Sequence, residues 1–166
     1  NKDSSKIVYI SEYNNQNTYR TRNNAWPGND RENGTIYSNH KNINTVRHSI
    51  YSFLNGDYEK SYSYWDENAE VNDINLSEPI TLSDAKKANE ELMKNFTFDA
   101  ADEVGYPDYL EYDLWESKDV LSWWKFRMTR KSDGKKIVLP IHYIHGFDNE
   151  GKIINVTMYF NASLMQ

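Results

Sequence analysis

The feature that most constrains this chain is the alternation of apolar and polar residues that fills its second half. Residues 109–115, 120–130, 136–147 and 152–160 each read as a strand. Ser132-Asp-Gly134 and Asp148-Asn-Glu-Gly151 stand between the last three as hairpin turns. Period two then sorts side chains by face. Val120, Ser122, Trp124, Phe126 and Met128 form one inward set, and Ile137, Leu139, Ile141, Tyr143, His145 and Phe147 form the next. Ile154, Val156, Met158 and Phe160 form the last. A bulge would exchange the faces beyond it, so His142 is held as the alternative to its neighbours.

The preceding region reads as helices. Ile43, Val46, Ile50, Phe53 and Leu54 recur at helical spacing within residues 36–55, and Asn55-Gly56 supplies a stop. Tyr58, Tyr62 and Trp65 repeat at i, i+4, i+7 on a short second helix, followed by a brief strand over residues 69–73. Ser83 with Asp84 is an N-cap signal, and Ala85, Ala88, Leu92 and Phe96 line one face of a third helix. Helices followed by an antiparallel meander make an α+β chain, in which three helices pack on a curved, mostly antiparallel sheet and leave a cavity between the layers.

A chain of 166 residues suffices for one domain with a core. Residues 1–34, rich in Asn, Ser, Thr and Arg, read as an extended polar arm, and residues 35–166 as the domain. Aromatic residues make up 14% of the chain, so much of the buried area comes from rings with polar tips, which suit a pocket wall. The formal charge of -6 disfavours nucleic acid and anionic membrane surfaces as partners. No apolar run approaches the roughly 20 residues of a spanning helix. The absence of Cys excludes disulfides and thiolate chemistry. The leader Asn1-Lys-Asp-Ser-Ser-Lys6 resembles the stretch after a removed signal peptide or a lipid-anchored terminus, with a tag-trimmed cytoplasmic protein as the alternative. Both compartments stay open.

Phe53-Leu-Asn-Gly-Asp57, Tyr64-Trp-Asp-Glu-Asn-Ala-Glu-Val-Asn-Asp73 and Ser77-Glu-Pro79 together resemble the opening half of a ketosteroid isomerase, a member of the SnoaL-like, nuclear transport factor two-like superfamily. Gly134-Lys-Lys-Ile-Val-Leu-Pro-Ile-His-Tyr-Ile-His-Gly-Phe147 and Gly151-Lys-Ile-Ile154 resemble the last two strands of the same family. The resemblance implies a cone-shaped α+β barrel with an internal pocket. It places Asp73 where those enzymes carry their general base, Ser49 where they carry an oxyanion-binding tyrosine, and Tyr143, or His142 if the register slips by one, where they carry a protonated acid. The donor pair therefore differs in kind from that of a steroid isomerase.

Asp73, Tyr143 and His145 are an acid, a phenol and an imidazole aimed into one cavity, which is an inventory for general acid–base catalysis without a cofactor. Trp65, Tyr112, Trp124, His142 and Met158 are the expected ligand-binding walls. Burial beside Trp65 and Trp124 would make the Asp73 carboxylate a better proton acceptor. The competing interpretation makes Asp73 a loop cap and His145 a core residue. No metal is expected, because His142 and His145 point to opposite strand faces. The expected ligand is a small, partly apolar molecule used in isomerase, dehydratase or cyclase chemistry, the alternative being a non-catalytic ligand-binding or association domain. Trp123, with Lys125 and Arg127 on the outer face, points to a homodimer.

Overall fold

The helical region is built on local hydrogen bonds that the sequence dictates. Lys41–Leu54 (α1) starts where His40 accepts the Asn42 amide on Nδ1 at 3.2 Å, its ring stacked on Tyr109. At its end Gly56 adopts φ +78, a conformation costly for residues with a Cβ, and Asp57 N donates back to Ser52 O. Asp57 at once caps Tyr58–Ser63 (α2) by accepting the Lys60 amide. Ile43 and Val46 bury the first half of α1, but Ser49 and Ser52 bury the second half. Small residues are needed there because α2 crosses closely: the Ser61 hydroxyl donates to Ser49 O at 2.8 Å, and the Ser49 hydroxyl donates to Ser61 O at 3.1 Å.

These elements belong to a computed structural model that describes residues 34–112 and 116–166. The expected arm over residues 1–34, Gly34 excepted, and Trp115 lie outside them. The remaining elements are β1 (Gly34–Tyr37), β2 (Trp65–Asp73), β3 (Ile80–Thr81), α3 (Leu82–Asn95), β4 (Phe96–Glu103), β5 (Asp108–Tyr112), β6 (Ser117–Arg130), β7 (Lys136–Phe147) and β8 (Ile153–Phe160). Ala162–Met165 close the chain as a 3-10 turn. The described strands form one eight-stranded sheet in the order β1-β5-β6-β7-β8-β2-β3, with β4 also on β6. It is an open sheet, not a closed barrel. All pairings are antiparallel except β2 with β8, which is parallel.

The α+β class and the mostly antiparallel sheet agree with the sequence, while several details do not. The helices do not all precede the sheet, since β2 and β3 lie between α2 and α3. Ile36 belongs to β1 and is 68% exposed, because its strand pairs with β5 at the edge of the sheet. Trp65 opens β2 instead of completing α2, which ends as the Ser63 hydroxyl bonds back to Lys60 O. The cap of α3 is Thr81, whose hydroxyl accepts the Asp84 amide, not Ser83. Phe96 begins β4, a strand hidden by the acidic, Ala-containing run Asp99-Ala-Ala-Asp-Glu103 and formed through its pairing with β6.

The inward sets of β6 and β7 are buried, Val120, Ser122 and Met128 completely so, except that Tyr143 is half-buried and the burial alternation of β7 is lost from His142 on. In β8 the first residue of the expected set is wrong. Gly146 pairs with Asn155 but Phe147 pairs with Ile153, so Ile154 is the extra residue of a bulge and turns outward while Ile153 is buried. Gly146 permits the close approach, since a Cβ there would meet the Asn155 amide at 2.5 Å. Phe96, Trp124, Phe126, Met128, Ile137, Leu139 and Ile141 form the largest core cluster among the described residues.

Candidate functional site

The parallel β2–β8 pair sets the geometry of the site. Asp73 pairs with Met158, and Met158 pairs with Tyr143, so the three lie in one row across β2, β8 and β7. One rung deeper, Val71, Val156 and His145 form the next row. At ordinary strand spacing the Asp73 and Tyr143 backbones are about 10 Å apart. A cavity of about 380 Å³ opens over these rows. Asp73, Tyr143, His145, Trp65 and Met158 all line it, against Ile50 and Phe53 of α1 and Ala85, Ala88 and Leu92 of α3.

His145 is 3% exposed, and its Nδ1 has no hydrogen-bond partner. Its ring lies 5.2 Å from that of Tyr143 and edge-on to Trp65 at 6.0 Å. Burial, reinforced by nearby His142, pulls its pKa down to about 3, so it is a neutral imidazole at physiological pH. Tyr143 is pushed above the ordinary phenol range, first by burial and then by the negative charge of Asp73. The Tyr143 hydroxyl stays protonated, and the carboxylate's field reaches it across the row.

Asp73 itself is half-buried at the end of β2. Its Oδ1 accepts both the Asn75 amide and Asn75 Nδ2 at 2.8 Å, and the same Nδ2 reaches Phe160 O at 3.3 Å. The carboxylate therefore fastens a turn at the same time as it faces the cavity. Its surroundings are not the ones anticipated, because Trp124 is not beside it. Ser49 also faces the cavity, but its hydroxyl donates to Ser61 O and accepts Trp65 Nε1 at 3.0 Å. That hydroxyl has no proton left for a ligand's oxyanion.

Tyr112, Trp124 and His142 do not line the cavity. Trp124 is inward, but it fills core beneath α1, edge-on to Tyr51, and its Nε1 donates to the Ser122 hydroxyl. Tyr112 lies 39% exposed on β5, opposite Gly34 of the edge strand. His142 is on the outer face, bonded through Nδ1 to Ser122 O and stacked between Trp123 and Tyr159. Ser61, Tyr62 and Asn89, polar residues not assigned to the site from the sequence, also line the cavity, and Asn89 of α3 donates to the Tyr62 hydroxyl of α2 at 3.1 Å. Asn89 falls four residues after Ala85 on an otherwise apolar stripe, and that interruption was the available signal. Among the described residues no group of three or more acidic or His side chains is arranged to hold a metal ion, and no helix is long and apolar enough to cross a membrane.

No protein family's sequence profile matches the chain, and no curated protein matches it. Solved structures do. The chain is similar to a candidate isomerase from Bacillus subtilis with a TM-score of 0.61 at 15% identity, covering 75% of this chain and 89% of that one. It is similar to a candidate polyketide cyclase from Pseudomonas putida with a TM-score of 0.60 at 16% identity, covering 75% and 94%. A nuclear transport factor two-like protein of unknown function from Burkholderia pseudomallei aligns with a TM-score of 0.57 at 16% identity over 76% and 95%. At such identities the likeness concerns architecture. With helices packed on a mixed, mostly antiparallel sheet, the described residues share the architecture of these solved structures, a nuclear transport factor two-like fold.

Proposed function

We propose that this chain is a small-molecule pocket protein whose cavity performs acid–base chemistry of the isomerase, dehydratase or cyclase type on a partly apolar ligand. The observation that carries this reading is the convergence of Asp73, Tyr143 and His145 on one cavity of about 380 Å³. That volume lies at the lower end of ligand pockets, roughly 300–1,000 Å³. Asp73 would be the base, through the carboxylate oxygen that Asn75 leaves free. Tyr143 and neutral His145 would donate to or orient the ligand, and Trp65 and Met158 would form walls. The cavity is not packed solid by Trp65, Trp124 and Phe126, which supports a pocket over a filled association domain. The neighbours' designations as candidate isomerase and polyketide cyclase accord with such chemistry without specifying it.

The test uses a substrate that reports any base in an apolar pocket, the ring-opening proton abstraction of 5-nitrobenzisoxazole. Wild-type protein is expected to accelerate it, and Asp73→Asn to lower the rate by about two orders of magnitude, the low end for removal of a general base. His145→Gln should cost less. If Asp73→Asn instead lowers only thermal stability and leaves the rate unchanged, Asp73 is a turn fastener and the catalytic reading fails. We further propose a homodimer through the outer face of β6, β7 and β8, where Trp123, His142 and Tyr159 stand in register.

A further inference from the structure

The cavity wall is unbalanced in charge. Among the described lining residues Asp73 is the one acidic group, and neither Lys nor Arg lines the cavity. None of the ion pairs found among the described residues includes Asp73. Lys86 stands over the Tyr62 ring at 4.7 Å but is not a lining residue. The other titratable walls, His145, Tyr143 and Tyr62, carry no positive charge that could answer an anion. His145 is uncharged because it is buried, and both phenols are held protonated. The hydrogen bonds on Asp73 come from neutral Asn75 donors to a single oxygen, so they leave the full negative charge in place.

A carboxylate without a counter-ion beside an apolar wall projects its field into the cavity, where the apolar lining screens it less than bulk water does. An organic anion entering there would lose its hydration, gain no cationic partner and meet a like charge. A hydroxyl or amine hydrogen would meet the free oxygen of Asp73 as a charge-assisted acceptor, and an ammonium would gain the ion pair as well. The overall charge of -6 acts in the same sense at long range.

We infer that Asp73 is the charge filter of the cavity: its ligand is an uncharged or cationic amphiphile with the apolar body inward and a hydrogen-bond donor at Asp73, and organic anions of the same shape are excluded. The inference rests on the pocket reading and adds the ligand's charge to it.

The test is calorimetric titration of the full chain, at neutral pH and low salt, with three probes of one shape: 2-naphthylmethanol, 2-naphthylmethylammonium and 2-naphthoate. The alcohol should bind, the ammonium about tenfold more tightly and the carboxylate at least about tenfold more weakly, a modest gap because Asp73 is only half-buried and partly screened. Added salt should narrow both gaps. In Asp73→Asn the three affinities should converge to within about threefold, the ammonium weakened most, the alcohol weakened less through loss of the charged acceptor, and naphthoate strengthened. Asp73→Ser, which keeps a side-chain acceptor for the turn and removes the charge, serves if the amide variant does not fold. Naphthoate binding as tightly as the alcohol in wild type, or an order that survives loss of the carboxylate, would overturn the charge filter and leave the pocket standing. Failure of the alcohol to bind at all would overturn both.

Discussion

His142 and His145 stand three residues apart on the same strand, yet they occupy opposite environments. His142, on the outer face, gives Nδ1 to a backbone oxygen and both ring faces to its aromatic neighbours. His145, on the inner face, is more deeply buried and has an unpartnered Nδ1. Burial lowers the pKa of both, but only His145 falls to about 3. In His142 the bond to Ser122 O opposes the downward shift, whereas in His145 the nearby His142 adds to it. The contrast extends to the two faces of the sheet. The outer row Trp123, His142 and Tyr159 is satisfied by its own stacking, while the inner rows hold polar groups that the fold leaves for something else to meet.

The largest effect that sharpens this comparison comes from two adjacent tryptophans. Trp124→Ala opens a void in the main core cluster and loses the contact with Tyr51, and should cost about 3–5 kcal/mol in urea denaturation. Trp123→Ala, on the outer face, should cost far less. Equal losses would mean that the two faces do not differ as described.

The next effect is acid sensitivity. The folded-state pKa of His145 lies below its unfolded value of about 6.5, so on acidification the unfolded chain takes up a proton that the native state refuses. Its contribution is therefore fully present above about pH 6.5 and lost progressively as pH falls toward about 3. At pH 5 the loss should be about 2 kcal/mol. His145→Gln should flatten this part of the stability profile, and an unchanged acid limb would show that the burial of His145 is not maintained in solution.

The smallest effect on monomer stability belongs to Trp123→Ala, below about 1 kcal/mol, but it should convert a dimer to a monomer in sedimentation velocity. A wild-type chain that sediments as a monomer at high concentration removes the dimer, and the aromatic ladder then needs no partner beyond itself.

The residues differ in how openly they announced these places. Tyr143 and His145 were legible because period two along Lys136–Phe147 puts them on the face of Ile137, Leu139 and Ile141, which are buried, although burial stops alternating from His142 on. Asp73 was legible as the last residue of a short strand with a loop cap as its competing role, but its bonds to Asn75 appeared only in the fold. Trp124 was legible as inward but not as excluded from the cavity, since parity assigns a face and not a position along it. The bulge at Ile154 left no local mark, and Ser49 could not be seen as consumed until α2 was placed against α1.

What the sequence determined by itself are the features that short-range physics controls: strand alternation from Val120 to Ile141, the turns around Gly134 and Gly151, and the helix joint at Asn55-Gly56-Asp57. Each depends on neighbours a few residues away, through φ restrictions, caps and side-chain period. The tertiary structure alone decided the parallel pairing of β2 with β8, the formation of β4 on β6 and the uncompensated charge of Asp73 beside a neutral His145. Those depend on residues separated by tens of positions, whose pairing is set by the burial of the whole sheet and not by any local preference.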